Sequence, residues 1–151
     1  MSKHRPLAVA MLIVSIFTPV SQAQDQIRNA PQAGGRTYSV NYKDMVLATC
    51  IATAYKNDPG AAKDAGSSVS ALRDWTSFDL DQATRPIQDL VTDYLSRDYH
   101  NPVVESEVKG VRFDLLKCLD LYHSEALEAQ IKRWGYTPDR SYRQDNPAPD
   151  E

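Results

Sequence analysis

The sequence predicts an all-α fold, a small helical bundle stapled by one disulfide. Three observations carry this. Apolar residues recur at helical spacing in five segments, most cleanly at Ile87, Leu90, Val91, Tyr94 and Leu95, which follow i, i+3, i+4, i+7, i+8. No stretch alternates apolar and polar residues as a half-buried sheet requires, and Tyr99–Val104 offers at most one isolated extended segment. The chain of 151 residues holds two cysteines, Cys50 and Cys118, each on the apolar stripe of its own predicted helix.

The elements follow in order. Residues 1–23 read as a secretory signal peptide: Lys3 and Arg5 form a basic start, Leu7 to Val20 is apolar but short for a bilayer span, and Ser21-Gln22-Ala23 is a small-x-small cleavage site. The competing reading is a membrane anchor, which Pro19 and the cleavage site disfavour. Residues 24–38 are polar, carry Pro31, Gly34 and Gly35, and read as a flexible lead-in. The helical domain is expected over 39–134, under about 100 residues, where a single core is only modestly stabilising.

Within it, Asn41 is the expected cap of the first helix, with Asp44 three residues on and Leu47, Cys50, Ile51, Ala54 and Tyr55 on one face. Asn57-Asp58-Pro59-Gly60 marks a stop and turn. A second helix carries Ala62, Ala65, Val69 and Leu72, weakened in its middle by Gly66, Ser67 and Ser68. Asp79 and Thr84 both suit the cap of the third, where Pro86 predicts a short turn from Leu80 and then the main helix. Ser96 to Gly110 lacks a period and reads as a long loop. The fourth helix is expected to turn Leu115, Cys118, Leu119 and Tyr122 inward; Ser124 caps a fifth with Leu127, Ile131 and Trp134. Residues 135–151, with three prolines and many charges, read as a flexible tail.

Charge narrows the function classes. The formal net charge is −3, and removal of Lys3 and Arg5 with the leader takes it to −5. An acidic exported protein is a poor ligand for nucleic acid or anionic membrane. Once the signal is removed no second apolar run remains to hold a membrane. Two cysteines in an exported chain are most simply a disulfide, and Cys50–Cys118 would staple a core that is small for its task. The rival is a Cys118 thiolate with His123 as its base, but five residues place the two more than a turn apart around one helix. His100 and Asp98 supply two metal ligands where a closed site takes about four. Glu105 and Glu107 are a candidate acid–base pair, although carboxylates of this kind are usually solvated. No catalytic residue, metal or cofactor is expected. What remains is a rigid helical scaffold with one long loop, and such loops make contacts.

The chain also resembles a known family. The stretch YKDMVLATCIATAYKNDPGAAKDAGSS, with Tyr42-Lys43-Asp44, Cys50, Ala54-Tyr55-Lys56 and Ala61-Ala62-Lys63-Asp64-Ala65, is similar to the opening of the type VI secretion amidase immunity proteins that neutralise the fourth class of amidase effectors. The closing stretch KCLDLYHS, residues 117–124, with Leu127 after it, is the second match. The resemblance implies a periplasmic, non-enzymatic protein and a homodimer. Its implied partner is a cognate papain-like cysteine amidase effector that cuts peptidoglycan stem peptides between D-glutamate and diaminopimelate. It also implies a protruding loop that enters the effector's groove. The loop this sequence offers is Arg97–Lys109, with Asp98, Tyr99, His100, Asn101, Pro102, Glu105 and Ser106 as contact candidates. Two other readings stay open beside it: a helical periplasmic binder of another cell-wall hydrolase or an envelope adaptor, and a small enzyme built on Cys118 or on Glu105 and Glu107.

Overall fold

The structure, a computed structural model, describes residues 30–147, the side chain of Glu105 excepted. The signal-peptide reading of residues 1–23, the first six residues of the lead-in and the last four residues of the chain lie outside the described part. Among the described residues, seven helices follow a 3-10 turn at Ala33–Gly35: α1 (Tyr38–Ala54), α2 (Pro59–Asp74), α3 (Leu80–Ser96), α4 (Pro102–Glu107), α5 (Asp114–Tyr122), α6 (Glu125–Trp134) and α7 (Tyr142–Asp145). Among the described residues there is no strand, only two isolated bridges, Thr37 with Ser141 and Phe78 with Gly135. The fold is the all-α bundle expected.

The core is built from one face each of α1, α3, α5 and α6. Tyr42, Met45, Val46 and Cys50 meet Ala83, Ile87, Val91 and Tyr94, with Cys118, Leu121, Leu127 and Ile131 closing it. The Cys50–Cys118 disulfide ties α1 to α5 at the centre, across 68 residues of sequence. The principal neighbour of α1 is α2. Asp58 starts α2 by accepting from the amides of Gly60 and Ala61, with Pro59 in the first turn, so the predicted turn is also the cap. Ser67 and Ser68 donate back to the carbonyls of Lys63 and Asp64, and α2 runs unbroken through its weak middle.

Three local expectations are corrected. The cap of α1 is Thr37, not Asn41. Asn41 is fully buried inside the helix, where its Nδ2 donates to the carbonyls of Ala33 at 2.8 Å and Trp75 at 2.9 Å. A buried amide with carbonyls within reach is worth more as a tie than as a cap. Second, α3 is unbroken from Leu80 to Ser96 although Pro86 lies inside it. The proline forfeits one ladder bond, but the buried face of Ala83, Ile87, Val91 and Tyr94 continues across it, and the Pro86 carbonyl accepts from Gln130 Nε2 of α6 at 2.9 Å. Third, α5 turns Lys117, Cys118 and Leu121 inward and leaves Leu115 and Leu119 49% and 39% exposed. Leucines lie all round this helix, so its spacing did not set the rotation; the disulfide does.

The packed region is also wider than 39–134. Ala33 and Gly34 are buried, and the amides of Tyr38 and Ser39 donate to the carbonyls of Arg140 at 2.8 Å and Pro138 at 2.9 Å. Ser141 forms a capping box with Gln144 at the start of α7. These backbone bonds join the two flanks of the bundle over the N-terminus of α1.

Candidate functional site: the segment between α3 and α5

The segment from Arg97 to Phe113 leaves the bundle at the end of α3 and returns at the start of α5. Its middle, expected to be loop with at most an isolated extended segment, is the short helix α4. Asn101 accepts from the amides of Val103 at 3.1 Å and Val104 at 3.3 Å, and Pro102 fills the first turn. An Asn-Pro pair is a helix start as well as a turn signal, which is why the period alone missed it. Ser106 donates to the Val103 carbonyl at 2.6 Å, and the Val108 amide to that of Val104 at 2.8 Å. The chain returns through Gly110 at φ 74° and Phe113 at φ 53°.

The candidates therefore separate. Asp98, His100, Asn101, Pro102 and Ser106 are exposed on the segment. The oxygens of Asn101 and Ser106 shape α4 itself, while Glu105 lies outside the described side chains. Tyr99 faces the other way. Its hydroxyl donates to Asp120 Oδ2 of α5 at 2.6 Å, and this bond raises its pKa. A cavity of about 350 Å3 lies beneath, lined in part by Leu95, Tyr99, His100, Arg112 and Lys117.

The sequence reading passed over two residues that the geometry brings forward. Val103 on α4 is 71% exposed and Val108 just after it 56%. Their signal was available: apolar residues in a stretch that is otherwise polar and has no core to serve. On the neighbouring surface Leu115, Leu116, Leu119 and Tyr55 surround an open, mostly apolar hollow of about 500 Å3.

Cys118 is fully buried and disulfide-bonded, so it has no thiol to act as a nucleophile. His123 ends α5 and packs edge-on against Tyr122, with ring centroids 5.1 Å apart. Among the described residues no group of three or more His, Cys, Asp or Glu side chains could hold a metal ion, and no helix is long and apolar enough to cross a membrane.

A stapled helical scaffold that holds out one capped, partly apolar segment is the architecture of a binding protein. The profile of the Tai4 family, described as type VI secretion system amidase immunity protein, matches residues 40–131. The chain belongs to that family. No curated protein matches it in sequence. Among solved structures, it is similar to a chain from work on new type VI-secreted toxins and self-resistance proteins in Serratia marcescens, at 25% identity and a TM-score of 0.68, covering 91% of this chain and 98% of that one. It is also similar in fold to a chain from the effector–immunity system Tae4/Tai4 of Salmonella typhimurium, at 23% identity and a TM-score of 0.60, covering 70% and 96%.

Proposed function

We infer that this immunity protein is exported by its N-terminal signal peptide to the periplasm. There it binds a papain-like cysteine amidase effector of the type VI secretion system, without catalysing a reaction itself. The segment between α3 and α5 blocks the effector's groove. The observation that carries this reading is Val103, a large apolar side chain held in solvent on a helix that is capped at its own start. A cysteine amidase needs its Cys–His pair open to an extended peptide. A short rigid helix presenting an apolar anchor excludes that peptide at a small ordering cost. His100 and Asp98 flank it with polar groups that can reach the rim of the groove. The family match and the Salmonella effector–immunity neighbour support an amidase as the partner.

The reading includes a homodimer, for which the exposed face of Leu115, Leu116 and Leu119 is the apolar surface on offer.

The test replaces Asn101–Glu107 by a Gly/Ser linker of equal length. The variant should keep its melting transition and lose inhibition of the purified effector. Undiminished inhibition would move the contact surface to the helix faces.

A further inference from the structure

Lys117 is 4% exposed, a rare place for an ammonium group, which must be paired and hydrogen-bonded to be tolerated there. Its Nζ donates to Asp114 Oδ1 at 3.1 Å and to the Leu95 carbonyl at 3.2 Å. Leu95 lies in the last turn of α3, where the carbonyls lack helical donors and carry the negative end of the helix dipole. The same Nζ lies 5.8 Å from the ring centroid of Tyr99, within reach of a cation–π attraction. Further along α5, Asp120 takes the Tyr99 hydroxyl. One helix thus holds Tyr99 at both its ring and its oxygen, two residues before the Asn101 cap of α4. Cys118 lies between Lys117 and Asp120, so the disulfide fixes the helix that does the holding.

We propose that Lys117 and Asp120 are positioning residues, which hold Tyr99 as the root of the segment and so present α4 in one place before the partner arrives. This rests on the reading that the segment blocks the effector. Tyr99 then serves the scaffold instead of filling the effector's groove. Fixing a backbone costs conformational entropy, so a segment already ordered in the free protein spares that cost on binding.

Three full-chain variants test this: Tyr99→Phe keeps the ring and removes the hydroxyl, Asp120→Ala removes the exposed acceptor, and Lys117→Met removes the charge and keeps the stem. The first readout needs no effector. Amide hydrogen exchange at Val103, Val104 and Val108 should quicken several-fold in each variant, with Val46 in the core unchanged. The second readout is inhibition of the cognate amidase. Tyr99→Phe and Asp120→Ala should each weaken it about tenfold, chiefly through slower association, and the double variant should be no worse than either. Unchanged exchange in Asp120→Ala overturns the proposal. So does a Tyr99→Phe loss that adds in full to that of Asp120→Ala, because Tyr99 would then be touching the effector. If the linker variant of Asn101–Glu107 inhibits like the parent, the blocking reading falls, while the exchange data still decide whether Lys117 and Asp120 hold the root.

Discussion

The hydroxyl of Tyr38 donates to Asp145 Oδ2 at 2.7 Å, joining the first turn of α1 to the end of α7 across 107 residues. Burial first, then this bond, pushes the Tyr38 pKa up to about 12. The bond from Tyr38 and then Arg140 hold the Asp145 carboxyl below its ordinary value. The signs differ at the two ends. Asp145 binds its proton less readily when folded, so its contribution is present above pH 3.8 and fades as pH falls through the lower folded value. Tyr38 binds its proton more tightly when folded, so its contribution is complete below pH 10 and fades as pH rises toward 12. Urea titrations at pH 3, 7 and 10.5 should show Tyr38→Phe and Asp145→Asn destabilised at neutral pH. The gap between parent and Asp145→Asn should close in acid. A constant gap at all three values would remove this latch from the account of stability.

The disulfide makes a larger claim. Closing a loop of 68 residues removes roughly 4 kcal/mol of unfolded-state entropy on the chain-entropy estimate. The double variant Cys50→Ala, Cys118→Ala should lose about 3 kcal/mol in urea, with the chain still helical by circular dichroism. Non-reducing peptide mapping of periplasmic protein should recover Cys50 and Cys118 in one linked fragment. Two alkylatable thiols there would contradict it.

The fold class and the staple were legible because each rests on simple features of the sequence: helical spacing, and two cysteines that each fall on an apolar stripe. Ser124 caps where the sequence placed it, and of the two candidates Asp79 and Thr84 it is Asp79 that caps α3. The misses share a cause. Asn41, Lys117 and Tyr99 are polar residues whose partners are 34, 22 and 21 residues away, and no local pattern encodes such a partner. Asn41 reads as a cap because a cap is what a nearby amide usually does. Lys117 drew no reading of its own, because nothing near it in sequence marks a lysine as buried. The rotation of α5 was hidden by leucines on every side. In the segment after α3 no period shows because the six residues of α4 are too few to display one. The candidate site was therefore legible as a segment but not residue by residue.

The leucine face yields a prediction about assembly. Leu115, Leu116 and Leu119 are 49%, 46% and 39% exposed, beside Tyr55. Monomers seldom leave such residues contiguous without use. Light scattering of the mature protein at micromolar concentration should give twice the chain mass, and Leu116→Asp should give a folded monomer. A parent that is already monomeric would reassign this face, either to the effector or to none.

Val103 allows the sharpest separation of stability from function. At 71% exposure it contributes little to the fold, so Val103→Asp should change unfolding free energy by no more than about 0.5 kcal/mol. In the complex the same side chain would be buried. Full burial of a valine contributes about 2 kcal/mol, and an aspartate in its place adds the cost of desolvating a charge. Inhibition should therefore weaken at least 30-fold, which corresponds to about 2 kcal/mol. Val103→Ile should stay within about threefold of the parent, since it keeps the apolar surface. Both variants retain the Asn101 cap and the Tyr99–Asp120 bond, so α4 remains in place. Cells carrying Val103→Asp should lose protection against the effector while the protein accumulates normally. Protection equal to the parent, with the variant folded and abundant, would show that α4 does not meet the effector through this residue.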